Sequence, residues 1–452
     1  MIRRYVIITG IAVLCSSLFT LKTMAQRVVS LEECVSSMRK GNIRAKNAQK
    51  NVQSAEEFRK YARSKYYPSL NLNAFHYEAT DYLLRRELLS EEWSELIEEL
   101  NKQYGLGLDT SIQAFKRGTS AGLSLLQPVY VGGRITNVNK LADLQVDAMK
   151  MVQDVDDDML VMEAELMYFT LLKLHGKRRV LDASDVEVGS ILKDARNLAA
   201  EGIVNSNDAL NVELTQNQLQ AQRVRLDNAI KLLRRALAKE MGVPNEDIDV
   251  DTVLTSKGIV PPQTLWMDSG MATDNRNESR LLDLNVQRTQ LQTKIAKASY
   301  LPIVAVGGNF GVSRFLTKTN TRGMAYAVLA MPLSTFWSER HMVKRSKIEE
   351  QKALDERKDK RELLDLQVRD AYDNFSAAYK QVEIARKSVG RAEENLRIKH
   401  EEYINGVCNM TTLLDAQRQK STANDALTDA TCDYHHAKTK YLIMTGRKEL
   451  TY

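Results

Sequence analysis

The chain repeats itself over a long distance. Gly202 recurs as Gly406 at an offset of 204 residues, and Pro68 recurs as Pro302 at an offset of 234. Because repeats are this long, they indicate two similar halves rather than a solenoid of short modules. The two offsets differ, so one half carries an insertion after its first proline. We therefore expect one structural unit that is built twice.

The N-terminus has the pattern of an export signal. Arg3 and Arg4 precede an apolar run over residues 5–21, and a small residue, Ala25, ends the segment. This order is typical of a signal peptide, so we predict that residues 1–25 are removed. Without them the chain carries 61 Lys and Arg against 58 Asp and Glu. That near balance argues against a nucleic-acid partner.

The cysteines indicate neither a lipid anchor nor a disulfide framework. Lipid attachment at Cys15 would need a small residue before it, and Leu14 is bulky. The remaining three, Cys34, Cys408 and Cys432, are odd in number and far apart. An exported disulfide scaffold would show closely spaced pairs.

Long helices are predicted by a heptad-like pattern. Between Leu364 and Leu396 apolar or small residues alternate in steps of four and three, at Val368, Ala371, Phe375, Ala378, Val382, Ala385, Val389 and Ala392. This period of about 3.5 is that of a coiled-coil seam. Residues 338–404 contain no proline, so one helix of roughly 100 Å is expected there. Residues 135–200 are similar.

Each long helical tract ends at a glycine, Gly202 or Gly406, and is followed by a second helical tract. Glycine after a helix end tolerates the left-handed conformation that reverses the chain. We therefore predict two antiparallel helical hairpins, over residues 135–241 and 338–445.

Four short segments alternate between apolar and other side chains, at residues 67–75, 121–131, 303–312 and 324–333. Their length suits tilted membrane strands, and a small soluble sheet is the alternative. The export signal favours the membrane. Four strands cannot close a barrel, and an embedded strand cannot leave its edge unpaired, so several copies would have to share one barrel.

No pattern in the chain indicates catalysis or a resident cofactor. The sequence has no H-E-x-x-H zinc motif, no P-loop and no nucleophile elbow. The glycine run of residues 307–311 indicates a bend or close packing within a strand. The acidic run of residues 154–158 lacks the glycine of a calcium loop, so a solvated helix face is expected. We predict no enzyme, no cofactor and no metal site.

Several short motifs carry a family resemblance. They are Tyr67-Pro68-Ser69-Leu70, Tyr300-Leu301-Pro302, Gln127-Pro128-Val129-Tyr130-Val131-Gly132-Gly133-Arg134, Tyr403-Ile404-Asn405-Gly406 and Leu413-Leu414-Asp415-Ala416-Gln417. In their order and offset they resemble the TolC family of outer-membrane efflux proteins, over essentially the whole mature chain. The resemblance implies a homotrimer with a 12-stranded β-barrel in the outer membrane and a 12-helix tube across the periplasm.

The fold class is thus mainly α with a membrane β part. The first repeat, 26–262, is expected to hold a strand hairpin over 67–131 and the first helical hairpin. The second repeat, 263–452, adds a helix over 276–299 and a strand hairpin over 303–333. By the resemblance, residues 76–117 form an outward loop with a short helix over 90–104, and residues 245–274 wrap the middle of the tube.

The resemblance also implies a constriction just after the tip glycines. Family members place carboxylates at positions that correspond to Asp208, Thr412 and Asp415, so Thr412 departs from the pattern. Cys408 stands where a basic residue often locks the closed state. A ring of three Asp415 side chains would raise their pKa and attract cations. Asp415 read alone is a helix N-terminal acid or a surface charge.

Two further expectations concern the same region. Asn211 follows Asp208 by three positions and would complete a polar collar. At the hairpin ends, Gly202-Ile203 and Gly406-Val407 resemble the contact that the family makes with periplasmic adaptor proteins. A simple helix C-cap explains these glycines equally well.

The resulting hypothesis is a passive exit duct in the outer membrane of a Gram-negative bacterium. Its partners would be a periplasmic adaptor, an inner-membrane pump and outer-membrane lipid, and the tip would open by movement of the helical hairpins. Two alternatives stay open: a type I protein-secretion conduit of the same fold, and a periplasmic coiled-coil adaptor or scaffold.

Overall fold

The computed structural model describes residues 27–81, 84–87, 90–105, 111–114, 116–252, 259–314, 319–333 and 336–447. The predicted signal peptide and Cys15 lie outside the described residues. By compactness the chain divides into two units. The first comprises residues up to Gln53, Ala148–Asp283 and residues from Glu356 onward, and the second comprises Ser54–Asp147 and Leu284–Asp355. Each unit contains segments of both sequence repeats.

The first repeat alternates helices and strands in the predicted order. Its described elements are β1 (Arg27–Val29), α1 (Leu31–Gly41), α2 (Ile43–Ser64), β2 (Ser69–Glu78), β3 (Leu84–Glu87), α3 (Glu91–Tyr104), β4 (Ser111–Ala114), β5 (Arg117–Val131), α4 (Arg134–Ala200), α5 (Ser206–Glu240) and β6 (Ile248–Val250). The long helix α4 has 67 residues. The short helix expected in the insertion is α3.

The second repeat has the same core order. A 3₁₀ turn (Pro262–Leu265) leads to α6 (Ser269–Asn275), α7 (Asn277–Ala298), β7 (Ile303–Arg314), β8 (Asn320–Ala330), α8 (Phe336–Ile404) and α9 (Met410–Met444). Helix α8 has 69 residues. None of the described helices is long and apolar enough to cross a membrane.

Some predicted boundaries were wrong. The last strand was expected over 324–333, but β8 starts earlier and ends at Ala330. Pro332 follows, and a proline cannot donate to a strand ladder. The first strand begins at Ser69 rather than Tyr67, after the proline at position 68. Strand β5 is longer than expected, at 15 residues.

In the second unit, β2, β5, β7 and β8 form one antiparallel sheet in that order. Leu72 lies opposite Leu123, Leu123 opposite Phe310, and Phe310 opposite Gly323. Cross-strand partners share a face of a sheet. The two strand pairs that the sequence predicted are therefore joined side by side through β5 and β7.

The glycine run in β7 serves close packing, as expected. A Cβ on Gly307 would lie 2.6 Å from the ring of Tyr326, and one on Gly311 would lie 2.9 Å from the Cα of Gly122. Both distances are shorter than real Cβ contacts. The backbone of β5 therefore requires a glycine at position 311, whereas a Cβ at position 307 would make the Tyr326 side chain shift.

In the first unit, the predicted seam of α8 faces the core. Val368, Ala371, Phe375 and Val382 are buried together with Tyr434 and Tyr441 of α9, in one apolar cluster. Because each residue of the seam follows the 3.5 period, one stripe of the helix packs along its partner. A second cluster joins β1, α1, α4 and α5.

The segment between the repeats lies against the second helical hairpin. The Tyr434 hydroxyl contacts the main-chain N–H and carbonyl of Val260 at 2.7 and 2.9 Å, and the Met267 N–H donates to the Tyr441 hydroxyl at 2.9 Å. Arg369 of α8 donates to Ser269. We call residues 259–276 the strap. Its predicted place around a tube stays a prediction.

The start of α1 forms only half of a capping box. The Glu33 N–H donates to the Ser30 hydroxyl at 3.1 Å, which caps the helix. The Glu33 carboxylate instead pairs with Arg27. In a full capping box the Glu33 carboxylate would accept a hydrogen bond from the Ser30 N–H. Here it forms an ion pair with Arg27, which is not part of the capping motif.

Candidate functional site: the two hairpin tips

Both helical hairpins turn in the same way. Gly202 has φ of 72° and Gly406 has φ of 70°. The next N–H donates back across the turn, from Ile203 to the Leu198 carbonyl at 2.9 Å and from Val407 to the Glu402 carbonyl at 2.7 Å. These bonds form a Schellman motif, in which glycine relieves the strain of positive φ. The C-cap interpretation of the two glycines is thus confirmed.

An asparagine begins the returning helix at both tips. The Asn205 side chain accepts from the Asn207 N–H at 3.0 Å. The Asn409 side chain accepts from both the N–H and the hydroxyl of Thr412, each at 2.9 Å. The hydroxyl of Thr412 is therefore used by a cap. Asn205 and Asn409 are themselves 204 residues apart, so the internal repeat could have indicated both caps.

The two tips share an apolar cluster. Its buried members come from α4, α5, α8 and α9: Val188, Ile191, Leu192, Ala195, Val212, Tyr403, Met410 and Leu413. This cluster makes the two hairpin ends one packed body, so neither tip moves without disturbing side chains of the other.

Asp208 links the first tip to the second. The Tyr403 hydroxyl donates to the Asp208 carboxylate at 3.4 Å, and Tyr403 is only 2% exposed. Burial, together with the neighbouring Asp208 charge, raises the pKa of Tyr403 to about 12. The phenol therefore stays protonated and remains a donor to the carboxylate.

Asp415 makes its polar contacts within α9. It pairs with Arg418 and accepts from the Gln419 side chain at 2.9 Å. Hydrogen bonds from Arg418 and Gln419 hold the pKa of Asp415 below its ordinary value. The expected increase concerned a ring of three copies, and Arg418 acts in the opposite direction. Sequence reasoning did not include this arginine, three positions away on the same helix.

Asn211 and Cys408 lie near the tips, and neither residue is fully exposed. Asn211 is half-buried on α5, and its carbonyl accepts from the Thr215 hydroxyl at 3.0 Å. The Cys408 thiol lies 3.3 Å from the Lys399 carbonyl, and burial raises its pKa. The nearby Lys399 is paired with Glu402 at 2.7 Å. A cation is therefore present near the tip, but its charge is already matched.

Two polar side-chain contacts connect the hairpins behind the tip. His400 of α8 lies 3.2 Å from the Asp194 carboxylate of α4, and Lys420 of α9 pairs with Glu187 of α4. At the end of the body, Ile203 and Val407 are exposed, Val407 at 73%. The tip therefore presents apolar side chains outward while polar pairs join the hairpins behind it.

The comparisons with known proteins agree with this architecture. Residues 270–443 match the family model described as Outer membrane efflux protein. The chain superimposes on VceC of Vibrio cholerae with a TM-score of 0.74 at 15% identity, covering 92% of this chain and 96% of VceC. The chain has the fold of the outer-membrane efflux channels. The resemblance to the TolC family and the predicted fold class are thereby confirmed.

Two further channel structures show the same TolC-like fold. CusC gives a TM-score of 0.76 at 13% identity, over 93% of this chain and 94% of CusC. The CmeC outer membrane channel of Campylobacter jejuni gives 0.73 at 13% identity, over 92% and 85%. No curated protein matches the chain by sequence. At such low identities the match concerns the backbone, so the roles of individual tip residues rest on their own geometry.

Proposed function

We propose that this protein is the outer-membrane channel of a tripartite efflux system, a passive exit duct for small molecules across the periplasm and the outer membrane. The observation that carries the proposal is the sheet of β2, β5, β7 and β8, which has one mainly apolar face and one face that carries many polar side chains. Resemblance of the whole fold to known channels and the family match of the second repeat support it.

The two faces follow from the strand register. One face carries Leu70, Leu72, Leu123, Leu125, Val304, Val306, Phe310, Val312 and Leu329. The other face carries Asn71, Asn73, Ser120, Ser124, Asn309, Ser313, Asn320 and Arg322 together with Phe75, Leu126, Met324 and Val328, and it is the more polar of the two. Side chains such as Leu72 and Leu329 are about three-quarters exposed, at 74% and 75%. In a membrane barrel, the apolar face would contact lipid on the outside and the more polar face would contact water in the interior.

Closure of the barrel requires further strands. Among the described strands, β2 and β8 pair on one side only, and they have 10 and 11 residues. Open edges of this length would expose main-chain donors and acceptors, which lipid cannot satisfy. A homotrimer would pair β8 of one copy with β2 of the next and yield twelve strands.

The tip body is the proposed gate. Tyr403 with Asp208 and His400 with Asp194 hold the hairpins together across the shared apolar cluster. Opening would separate these contacts, while the exposed Ile203 and Val407 would dock a periplasmic adaptor, through which an inner-membrane pump delivers the substrate. In this proposal Asp415, Asp208, Thr412 and Asn211 line the approach to the constriction. The chain itself consumes no energy.

Reconstitution into planar bilayers tests the channel. We expect discrete conductance steps from the purified protein at nanomolar concentration, with a preference for cations over anions. Membrane fractionation of cells provides the second measurement, and the protein should be recovered in the outer-membrane fraction. Recovery in the soluble periplasmic fraction, together with silent bilayers, would contradict the proposal and favour a coiled-coil scaffold.

The protein-secretion alternative shares every feature described above. The two functions can be distinguished by comparing a strain that lacks this protein with its parent strain. Increased susceptibility to dyes, detergents, bile acids or metals supports efflux, whereas an unchanged susceptibility profile with loss of one secreted polypeptide would support the secretion conduit.

A further inference from the structure

Basic side chains are concentrated at the helix ends next to the membrane sheet. Residues 59–67, 134–140, 294–300 and 336–347 contain twelve Lys and Arg and one acid, Glu339. These four segments therefore carry a formal charge of +11. Since the whole chain carries +6, the remainder carries −5. We call the four segments the basic collar.

The topology of the second unit brings the four segments to the same end of the sheet, where β2 and β7 begin and β5 and β8 finish. Helix α2 ends before β2 begins, and α7 ends before β7 begins; α4 starts after β5, and α8 starts after β8. Neighbouring strands are antiparallel, as in the pairing of Ile303 with both Val131 and Ala330. All four helix ends therefore lie at the same end of the sheet.

Most of these cations have no acidic partner. Lys60 pairs with Glu57 and Arg63 with Asp143. Nine others are exposed and form no ion pair within the described part of the chain: Lys65, Arg134, Lys140, Lys294, Lys297, Arg340, Lys344, Arg345 and Lys347. Exposed cations packed at this density repel one another, so the collar favours a ligand of opposite charge.

Aromatic side chains stand among the cations. Tyr67 is 72% exposed and Trp337 is 70% exposed. Tyr67 lies between α2 and β2, and Trp337 is the second residue of α8, shortly after β8. The Lys65 ammonium lies 4.4 Å above the ring of Tyr61. Exposed Tyr and Trp at a membrane boundary insert their rings at headgroup depth. This combination fits a lipid surface better than the surface of an acidic protein.

We propose that the basic collar binds the phosphate groups of anionic phospholipids in the leaflet on the helix side of the barrel. The inference rests on the proposed function, because it needs the strands to lie in a membrane. Each Lys or Arg near an anionic lipid surface strengthens the attraction, whereas zwitterionic headgroups give no net charge to attract. The insertion on the other side contains the acidic helix α3, with five Glu and one Lys, so the attraction belongs to one leaflet.

The retained lipids of the purified full protein provide the test. The protein is placed in nanodiscs of phosphatidylcholine with about one-third phosphatidylglycerol, and the lipids that remain bound are weighed by native mass spectrometry. We expect phosphatidylglycerol to be enriched, and the enrichment to fall as salt rises. In the variant R340Q/K344Q/R345Q/K347Q, the ratio of bound phosphatidylglycerol to bound phosphatidylcholine should fall roughly tenfold.

A matched control is available on the same helix. K380Q/R386Q/K387Q/R391Q removes the same number of exposed Lys and Arg from α8, far along the chain from β8, and should leave enrichment unchanged. Soluble glycerol phosphate should not displace the lipid. Three results would each overturn the inference. They are displacement of phosphatidylglycerol by glycerol phosphate, the same phosphatidylglycerol enrichment in the collar variant as in the parent protein, and preferential binding of an acidic polypeptide.

Failure of the inference is distinguishable from failure of the proposed function. Both variants and the parent protein are also measured in planar bilayers of phosphatidylcholine alone. Normal conductance without any preference for phosphatidylglycerol would overturn only the lipid site. Absence of conductance in all three proteins would instead contradict the channel.

Discussion

At the scale of single residues, the tip glycines and the charged side chains beside them answer to different constraints. Gly202 and Gly406 have positive φ, and no atom lies within 4 Å of a Cβ built on either. They are therefore fixed by the turn itself, and an adaptor contact is not needed to explain them. Asp415 has no such backbone role, so its contribution to conductance can be tested directly.

Asp415 and Arg418 should change ion selectivity in opposite directions. Asp415→Asn removes an exposed negative charge, and Arg418→Gln removes the cation that offsets it. We expect the cation preference to fall in the first variant and to rise in the second, each by roughly twofold because the charges are exposed and screened. Reversal potentials in a salt gradient measure both. If the two variants shift selectivity in the same direction, the charges act elsewhere.

His435 should make the helical body sensitive to acid. Its ring stacks on Phe169 at 5.4 Å and contacts Tyr434 edge-on, and burial lowers its pKa to about 4. Because the folded pKa lies below the ordinary value of about 6.5, stabilisation is present above pH 6.5 and is lost as pH falls through about 4. The His435→Phe variant should therefore lose less thermal stability than the parent between pH 7 and pH 4.

Thermal unfolding followed by circular dichroism measures this difference. His341, which is exposed on α8, supplies the control as His341→Phe. Carboxylates titrate in all three proteins, so only the difference between curves is informative. Parallel curves for parent and His435→Phe would contradict the role of His435.

At the scale of elements, the sheet has two chemically different faces, and neighbouring residues of one strand report on both. Leu72 lies on the apolar face and Asn71 on the polar face of β2. Leu72→Arg places a charge against lipid at a cost of about 2–4 kcal/mol near the midplane, whereas Asn71→Arg faces the interior. We expect only the first variant to fail in membrane insertion, measured by outer-membrane recovery and heat-modifiable gel mobility.

Two glycines of β7 provide a second contrast. A Cβ on Gly311 meets the Ala121 carbonyl oxygen at 2.8 Å and the Gly122 Cα at 2.9 Å, whereas one on Gly308 meets its nearest atom at 3.4 Å. Gly311→Ala should destabilise the barrel by about 1–3 kcal/mol through overpacking, because backbone atoms cannot move aside, and Gly308→Ala should be nearly neutral. The temperature at which the assembly dissociates on a gel compares them, and an equal decrease in both would contradict the packing argument.

Regular elements were predictable because each carries a periodic signal. The seam from Leu364 to Leu396 marks one buried stripe of α8, and the glycine turns mark its end. Contacts between distant segments carry no such signal. The three-residue strands β1 and β6, and the His175 contact with Asp249 at 2.8 Å, join positions that are far apart in sequence. Nothing in the local pattern announces these partners.

The candidate site was predicted less completely than the fold. The positions of Asp208 and Asp415 near the tips followed from the resemblance, but their partners did not. Tyr403 is 195 residues from Asp208, and Arg418 was within reach of a simple i, i+3 reading on a helix. Thr412 was predicted to line the constriction, but its hydroxyl donates to the helix-capping side chain of Asn409. Asn409 lies only three positions before Thr412, so the sequence could have indicated this contact.

At the scale of the whole molecule, the open edges of the sheet determine the assembly. Light scattering of the purified protein in detergent, corrected for bound detergent, should give the mass of three chains. The physical reason is the closure of twelve strands described above. A stably monomeric, lipid-free protein would contradict both the shared barrel and the proposed channel.

The tyrosines that hold the strap have a practical consequence. Tyr434 and Tyr441 hydrogen-bond to main-chain atoms of Val260 and Met267, and the partly buried side chains of Ile259, Leu265 and Met267 pack against the same apolar cluster. The strap is therefore held by its main chain and by its partly buried side chains. Exposed strap residues such as Trp266 should therefore accept a cysteine and a fluorescent dye without changing the course of the segment. A reporter attached there could follow rearrangements of the second helical hairpin during transport.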